Sequence, residues 1–191
     1  NGKAAALGTV NATSATTTVA TVTSTDTSGV ITITGVAAGT SVITLANLTS
    51  SATVTKTITV TVSKITAASV ALSFDKTEYA AGEKMTITVK AVDSNGAGVA
   101  DGSRDLFSSA GITSNAALNG ASWTASAAVS LVAGVKTYTV YAPLVPSTVS
   151  LFATEGAAVD AVAAGGTGAK ITTSATVVGD GAAQAAADAA A

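Results

Sequence analysis

Residues Thr53 to Lys64, TVTKTITVTVSK, alternate strictly between hydroxyl and apolar side chains. Val54, Ile58, Val60 and Val62 share one face and Thr55, Thr57, Thr59 and Thr61 the other, the period of two expected of a β-strand packed on one side and wet on the other. Lys56 alone interrupts the apolar face, near the start of the run, where its amine can reach water. The run reads as the closing strand of a first β-sandwich, residues 1–64, which a hinge at Ser63 to Ala68 joins to a second sandwich, residues 65–180. The predicted fold class is all-β: tandem immunoglobulin-like sandwiches followed by a short Ala-rich tail, residues 181–191.

The composition narrows what such a chain can do. Ser and Thr exceed a quarter of the 191 residues, whereas charged residues reach only 10%, against about a quarter in ordinary soluble domains. Sparse charge weakens the repulsion between neighbouring molecules. Aromatics are 4% and much of the 48% apolar content is Ala, so the cores are thin and strand pairing carries much of the order. Cysteine and histidine are absent, which removes disulfides, thiol chemistry and the usual proton shuttle at neutral pH. Residues 1–64 carry Lys3, Lys56 and Lys64 against Asp26, while residues 65–181 carry six bases against nine acids. There is no basic stripe for nucleic acid and no polybasic patch for anionic lipid. No apolar run approaches the roughly eighteen residues of a membrane span. Asn1 follows no signal-peptide pattern and reads as a processed or truncated start.

In chain order, residues 1–16 read as an extended segment or a first edge strand. Strands are predicted over Thr17–Ser24, Val30–Thr34 and Ser41–Ala46, with TDTSG, Thr25 to Gly29, as a turn. The second half begins with Val70, Leu72 and Phe74 facing inward, then Tyr79 as a plug for one sandwich end and Gly82 free to take a positive φ. Lys84–Val92 alternates cleanly, with Met85, Ile87, Val89 and Ala91 on one face, and Asp93 to Gly102 is a turn-rich connection. Further strands are predicted over Trp123–Leu131, Lys136–Ala142, Thr148–Phe152 and Lys170–Val178. Pro143 and Pro146 bracket a loop, because neither can donate to an interior ladder. The terminal GAAQAAADAAA reads as the start of a longer Ala-rich helix or stalk.

Two stretches carry family resemblances. SGVITITGVAAGTSVITLA, Ser28 to Ala46, followed by ATVTKTITVTV, Ala52 to Val62, resembles the bacterial Ig-like group 2 domain; the characteristic turn reads Gly35, Val36, Ala37, Ala38, Gly39, Thr40. That resemblance implies a larger core than residues 1–64 supply, with front strands either preceding Asn1 or coming from another molecule. SFDKTEYAAGEKMTITVKAVDSNGAGVADGS, Ser73 to Ser103, resembles the opening hairpin of invasin-type Ig-like repeats, with Asp93, Asn95, Gly96 and Val99 in the recurring turn. The overall composition is similar to that of S-layer proteins.

Catalysis is the class the sequence argues against. A Ser or Thr nucleophile needs a positioned base, and with no His or Cys that base would have to be Lys or a carboxylate; Asp101 and Asp105 can be paired on paper but flank Arg104 in a loop region. Metal is the more serious candidate. Calcium takes six to eight oxygens, which loop carboxylates and carbonyls supply, and Asp93, Asn95, Asp101 and Asp105 cluster in one region while Asp75, Glu78 and Glu83 cluster in another. Asp and Asn also suit turn geometry, and the sequence leaves both readings open. Asn11 and Asn47 head glycosylation sequons. Trp123 and Phe107 read as core plugs. The expected function is a self-assembling subunit of a bacterial surface layer or comparable extracellular lattice, with copies of itself as partners, glycans on its surface and calcium at the joints. The alternatives are an adhesin stalk, a phage fibre segment, or a pilus subunit whose first domain is completed by a donated strand.

Overall fold

A computed structural model describes residues 10–23, 25–26, 30–48, 53–121, 123, 128–163 and 165–179. The tail, residues 181–191, lies outside them. Among the described residues strands dominate and the helix is confined to four residues, so the protein is all-β. It divides into two compact units, residues 1–64 and 65–191.

The first unit contains β1 (Val10–Ser14), β2 (Ala20–Val22), β3 (Thr25–Asp26), β4 (Ile33–Gly35), β5 (Gly39–Leu48) and β6 (Thr53–Val62). They form a four-stranded sheet in the order β3-β1-β5-β6 and a two-stranded ribbon, β2-β4. The segment expected to be an edge, β1, lies between β3 and β5, because its alternate residues pair with the long β5 from Val10↔Asn47 to Ser14↔Ile43. The β5–β6 hairpin is the longest ladder, running from Gly39↔Val62 to Leu48↔Thr53.

Residues directly opposite in an antiparallel ladder point to the same side. One face of this sheet therefore carries Ala12, Ser14, Ser41, Ile43, Ile58, Val60 and Val62, and the other carries the threonines. The ribbon lies over the apolar face: Gly35 aims at β6, where an added Cβ would stand 3.1 Å from Val62 Cγ1. A polar stitch holds it there. Ser14 Oγ donates to the Ala20 carbonyl (2.6 Å) and lies 2.9 Å from Ser41 Oγ, which accepts from Thr16 N (3.1 Å). The fully buried apolar side chains described in this unit are Ala12, Ala20 and Ile43. The apolar face of β6 was expected to be packed, yet Ile58 is 42% exposed. Alternation sets which side chains share a face, but cover must come from a second sheet, and the ribbon is too narrow to reach it.

The second unit contains β7 (Ser69–Phe74), β8 (Glu78–Ala80), β9 (Lys84–Val92), β10 (Gly102–Asp105), β11 (Thr113–Ser114), β12 (Ala128–Leu131), β13 (Val135–Tyr141), β14 (Ser147–Thr154), one short helix α1 (Asp160–Ala163) and β15 (Lys170–Val178). One sheet has the order β13-β9-β7 and the other β11-β14-β15-β8, with β10 and β12 paired separately. Between Phe74 and Glu78 the chain crosses from the first sheet to the second, where β8 runs parallel to β15.

The two sheets share one core. Met85, Ile87, Val89 and Ala91 of β9 meet Val149 and Leu151 of β14 and Ala175 and Val177 of β15. All eight are buried, and burying each of the larger ones is worth about 1.5–3 kcal/mol. This is an immunoglobulin-like sandwich, with the inward set of β9 as the alternation predicts. Phe107 is a core plug, as expected; Trp123 is half-buried and stands edge-on to Tyr138, with ring centroids 5.7 Å apart. The strand expected over Trp123–Leu131 is present as β12 from Ala128; residues 122 and 124–127 lie outside the described set. Phe107 to Asn115 follows β14 antiparallel as an interrupted edge. It takes six steps from Phe107 to Thr113 while its partner takes three from Glu155 to Phe152, so it bulges away between.

Candidate functional site

The candidate calcium ligands stand at the pole of the second unit where β9 ends. Asp93 is 2% exposed, and its Oδ1 accepts from Asn95 N (2.8 Å) and Ala97 N (3.1 Å). This is an Asx turn in which the carboxylate takes the place of a backbone acceptor, and Gly96 completes it at φ 78°. The side chain of Asn95 is exposed. Asp101 Oδ1 accepts from Ala133 N at 2.7 Å and so fixes the β12–β13 turn, where Ala133 adopts φ 50°. Asp105 is exposed on β10. Arg104 reaches backbone, not carboxylate: Nη1 donates to Ser103 O (2.9 Å) and Nη2 to Asp101 O (3.1 Å). Among the described residues, no three acidic side chains converge into a group that could hold a metal ion.

The second acidic cluster is a local lock at the opposite pole. Tyr79 is 1% exposed and stands edge-on to Phe74 with centroids 6.2 Å apart, filling the sandwich end as expected. Its hydroxyl donates to Asp75 Oδ1 (2.7 Å) and accepts from Lys76 N (2.9 Å), and Asp75 Oδ1 also accepts from Thr86 N (2.6 Å). Burial, followed by the hydrogen bond to Asp75, pushes the Tyr79 phenol up from 10.0 to about 12. Burial would raise the Asp75 carboxyl, but the donated hydrogen bonds from Tyr79 and Thr86 outweigh it and leave its pKa below the ordinary value. Lys76 pairs with Glu83, whose other oxygen accepts from Ala80 N at 2.8 Å. That pairing raises the lysine and lowers the glutamate. Glu78 of this cluster lies on β8, whose backbone pairs with β15. Gly82 closes the turn at φ 73°, the freedom its position predicts.

Beside this lock lies a concavity of about 560 Å³ lined by Gly82, Ala117, Asn119, Tyr141, Pro143 and Leu144. Leu144, which lines it, and the next residue, Val145, are 81% and 69% exposed. The sequence marked this loop by its two prolines without revealing the apolar rim, because two apolar residues between prolines carry no periodicity.

A surface of uniform chemistry lies in the first unit. Thr13, Thr44 and Thr57 stand in one row across β1, β5 and β6, with Thr40 opposite Thr61 and Val42 opposite Thr59. Across these three strands the face carries no charge. Asn11, which heads one sequon, lies on this face and is half-buried; the side chain of Asn47, which heads the other, lies outside the description.

No family model and no curated protein matches the chain. Among solved structures, domains 1–6 of the surface layer protein SbsC align over 90% of this chain and 20% of their own length, at 18% identity and a TM-score of 0.35. The D0-D1 domain of intimin aligns over 92% and 84%, at 15% identity and 0.34. A glycosyl hydrolase family 2 member from Bacteroides cellulosilyticus aligns over 78% and 18%, at 15% identity and 0.45. The chain thus spans about a fifth of the six-domain surface layer structure. The class, an all-β protein of immunoglobulin-like sandwich type, is defined by the strand pairings themselves.

Proposed function

We propose that the chain is a structural module of a bacterial surface layer or comparable extracellular lattice, in which its sandwiches act as rigid spacers and their faces bind further copies. The observation that carries this reading is the uncharged threonine face of the first unit. A flat array of hydroxyls and methyls can be buried against a like surface with little charge desolvation, and hydroxyls pair across strands. No catalytic role is proposed. Calcium enters as the ion that the exposed carboxylates of Asp101 and Asp105 would draw to a joint between copies, and glycans as decoration of the hydroxyl-rich surface.

A stalk or fibre is the second reading, favoured by the apolar rim at Leu144 and Val145, which suits an end-to-end neighbour at that pole. Electron microscopy of the native material, with calcium and then after chelation, separates the two. An ordered array that loosens on chelation supports the lattice and its ion. Isolated rods indifferent to chelation overturn it in favour of a stalk.

A further inference from the structure

The two units share a pattern up to a point, and the point where it stops is informative. In each, a hairpin of two long strands (β5–β6; β14–β15) is flanked on the side of its first strand by an antiparallel segment (β1; Phe107–Asn115). In each, the strand just before that hairpin (β4; β13) lies in the other sheet. In the second unit β13 pairs along its length with β9, which pairs in turn with β7, and those two strands roof the core. In the first unit β4 pairs with β2 alone among the described residues.

The missing cover shows in the side chains. Ile33 stands opposite Val22 on the same side of the ribbon as Ala20 and Gly35, the side that faces β6. Ile58 stands opposite the fully buried Ile43. Both isoleucines therefore point between the two layers, yet they are 37% and 42% exposed. In the second unit the corresponding layer space holds Val140, Val149 and Leu151 at 0%. The backbone agrees. Val36 N bonds Val19 O and Thr23 N bonds Thr32 O, so by antiparallel alternation Ile33 and Gly35 turn their amides to the other edge of β4.

We infer that the first unit is an acceptor for an added β-strand: an extended segment of a neighbouring polypeptide, apolar at every second residue, lies along the edge of β4 that no other described strand pairs, and covers Ile33 and Ile58. The second unit specifies the chemistry of the occupant, because β9 fills the equivalent place with KMTITVKAV, Lys84 to Val92. Main-chain bonds to β4 supply affinity and the alternate apolar side chains supply register. The inference does not rest on the lattice reading, since a stalk or a pilus could use the same acceptor.

The test uses the chain of residues 1–191 and a synthetic peptide of the β9 sequence. Amide hydrogen exchange at Ile33 and Gly35 should slow at least about tenfold on saturation, while a peptide with the apolar positions shifted by one residue leaves both unchanged. Ile58→Asp, at an exposed position, should weaken binding by about tenfold or more, the effect of an unpaired charge against an apolar strand. Three results would each overturn the inference: no slowing at millimolar peptide, equal slowing by the shifted peptide, or binding indifferent to Ile58→Asp. If a longer polypeptide with residues ahead of Asn1 already protects both amides without peptide, the strand is supplied in cis and a neighbouring donor is ruled out.

Discussion

Replacing Tyr79 with Phe probes the lock at the second unit's pole with almost no change of volume. The variant loses the hydroxyl that donates to Asp75 Oδ1 at 2.7 Å and accepts from Lys76 N at 2.9 Å. A hydrogen bond to a charged acceptor contributes about 1.5–3 kcal/mol and a neutral one about 1. Asp75 and Lys76 are both exposed, so water replaces part of each, and the expected net cost is about 2 kcal/mol near pH 8. The difference should shrink at high pH. Because the folded-state pKa of Tyr79 is raised from 10.0 to about 12, its stabilisation is fully present below pH 10 and is lost as pH rises towards 12. A rise of about two units corresponds to a loss of roughly 3 kcal/mol once the phenol is ionised in both states, and the Phe variant lacks it. Urea unfolding followed by the fluorescence of Trp123, the single tryptophan, reports the second unit directly. A variant within about 0.5 kcal/mol of the parent at pH 8, the ordinary scatter of surface substitutions, would refute the reasoning. So would a gap between the two that stays constant from pH 9.5 to 12.

Ile43→Ala should cost the first unit about 2–5 kcal/mol, the range for deleting a large buried aliphatic side chain, because Ile43 is the one large side chain described as fully buried there. Amide exchange along β5 should accelerate while the unfolding transition seen by Trp123 stays in place; a shift of that transition instead would mean that the two units do not unfold separately. Gly156→Ala should destabilise the second unit by about 1–3 kcal/mol or more, since the new Cβ would stand 2.1 Å from the Phe107 carbonyl oxygen. Thermal unfolding of the variant within a degree of the parent would show that this approach is not tight.

What was legible in the sequence is what repeats. The alternation of Lys84–Val92 is long enough to fix both the strand and its inward set, and the structure buries Met85, Ile87, Val89 and Ala91 accordingly; Lys170–Val178 was legible as a strand. β8, β10, β11 and α1, of two to four residues, hold at most two cycles of a strand's period and barely one helical turn, too little pattern to announce them. The bulged edge from Phe107 to Asn115 was hidden because three surplus residues break its register. The acidic residues were visible, but the backbone amides they would engage were not. Asp93 and Asp101 each accept main-chain donors that only the folded turns present. The exposed Ile58 was invisible for a different reason, since a strand's own pattern says nothing about the opposite sheet.

The parallel pairing of β8 with β15 joins the opening segment of the second unit to its closing one, with Glu78↔Thr176, Tyr79↔Val177 and Ala80↔Val178 in register. A load applied through the two ends of this unit pulls these strands past each other lengthwise. Their ladder bonds then bear the force together in shear, and are not peeled open one after another. Tyr79, the residue that plugs the pole, sits in the middle of that short seam. The same side chain that closes the core therefore also stands in a seam loaded in shear, which tension from the N-terminal end reaches after the β7–β9 ladder and tension from the C-terminal end meets directly through β15.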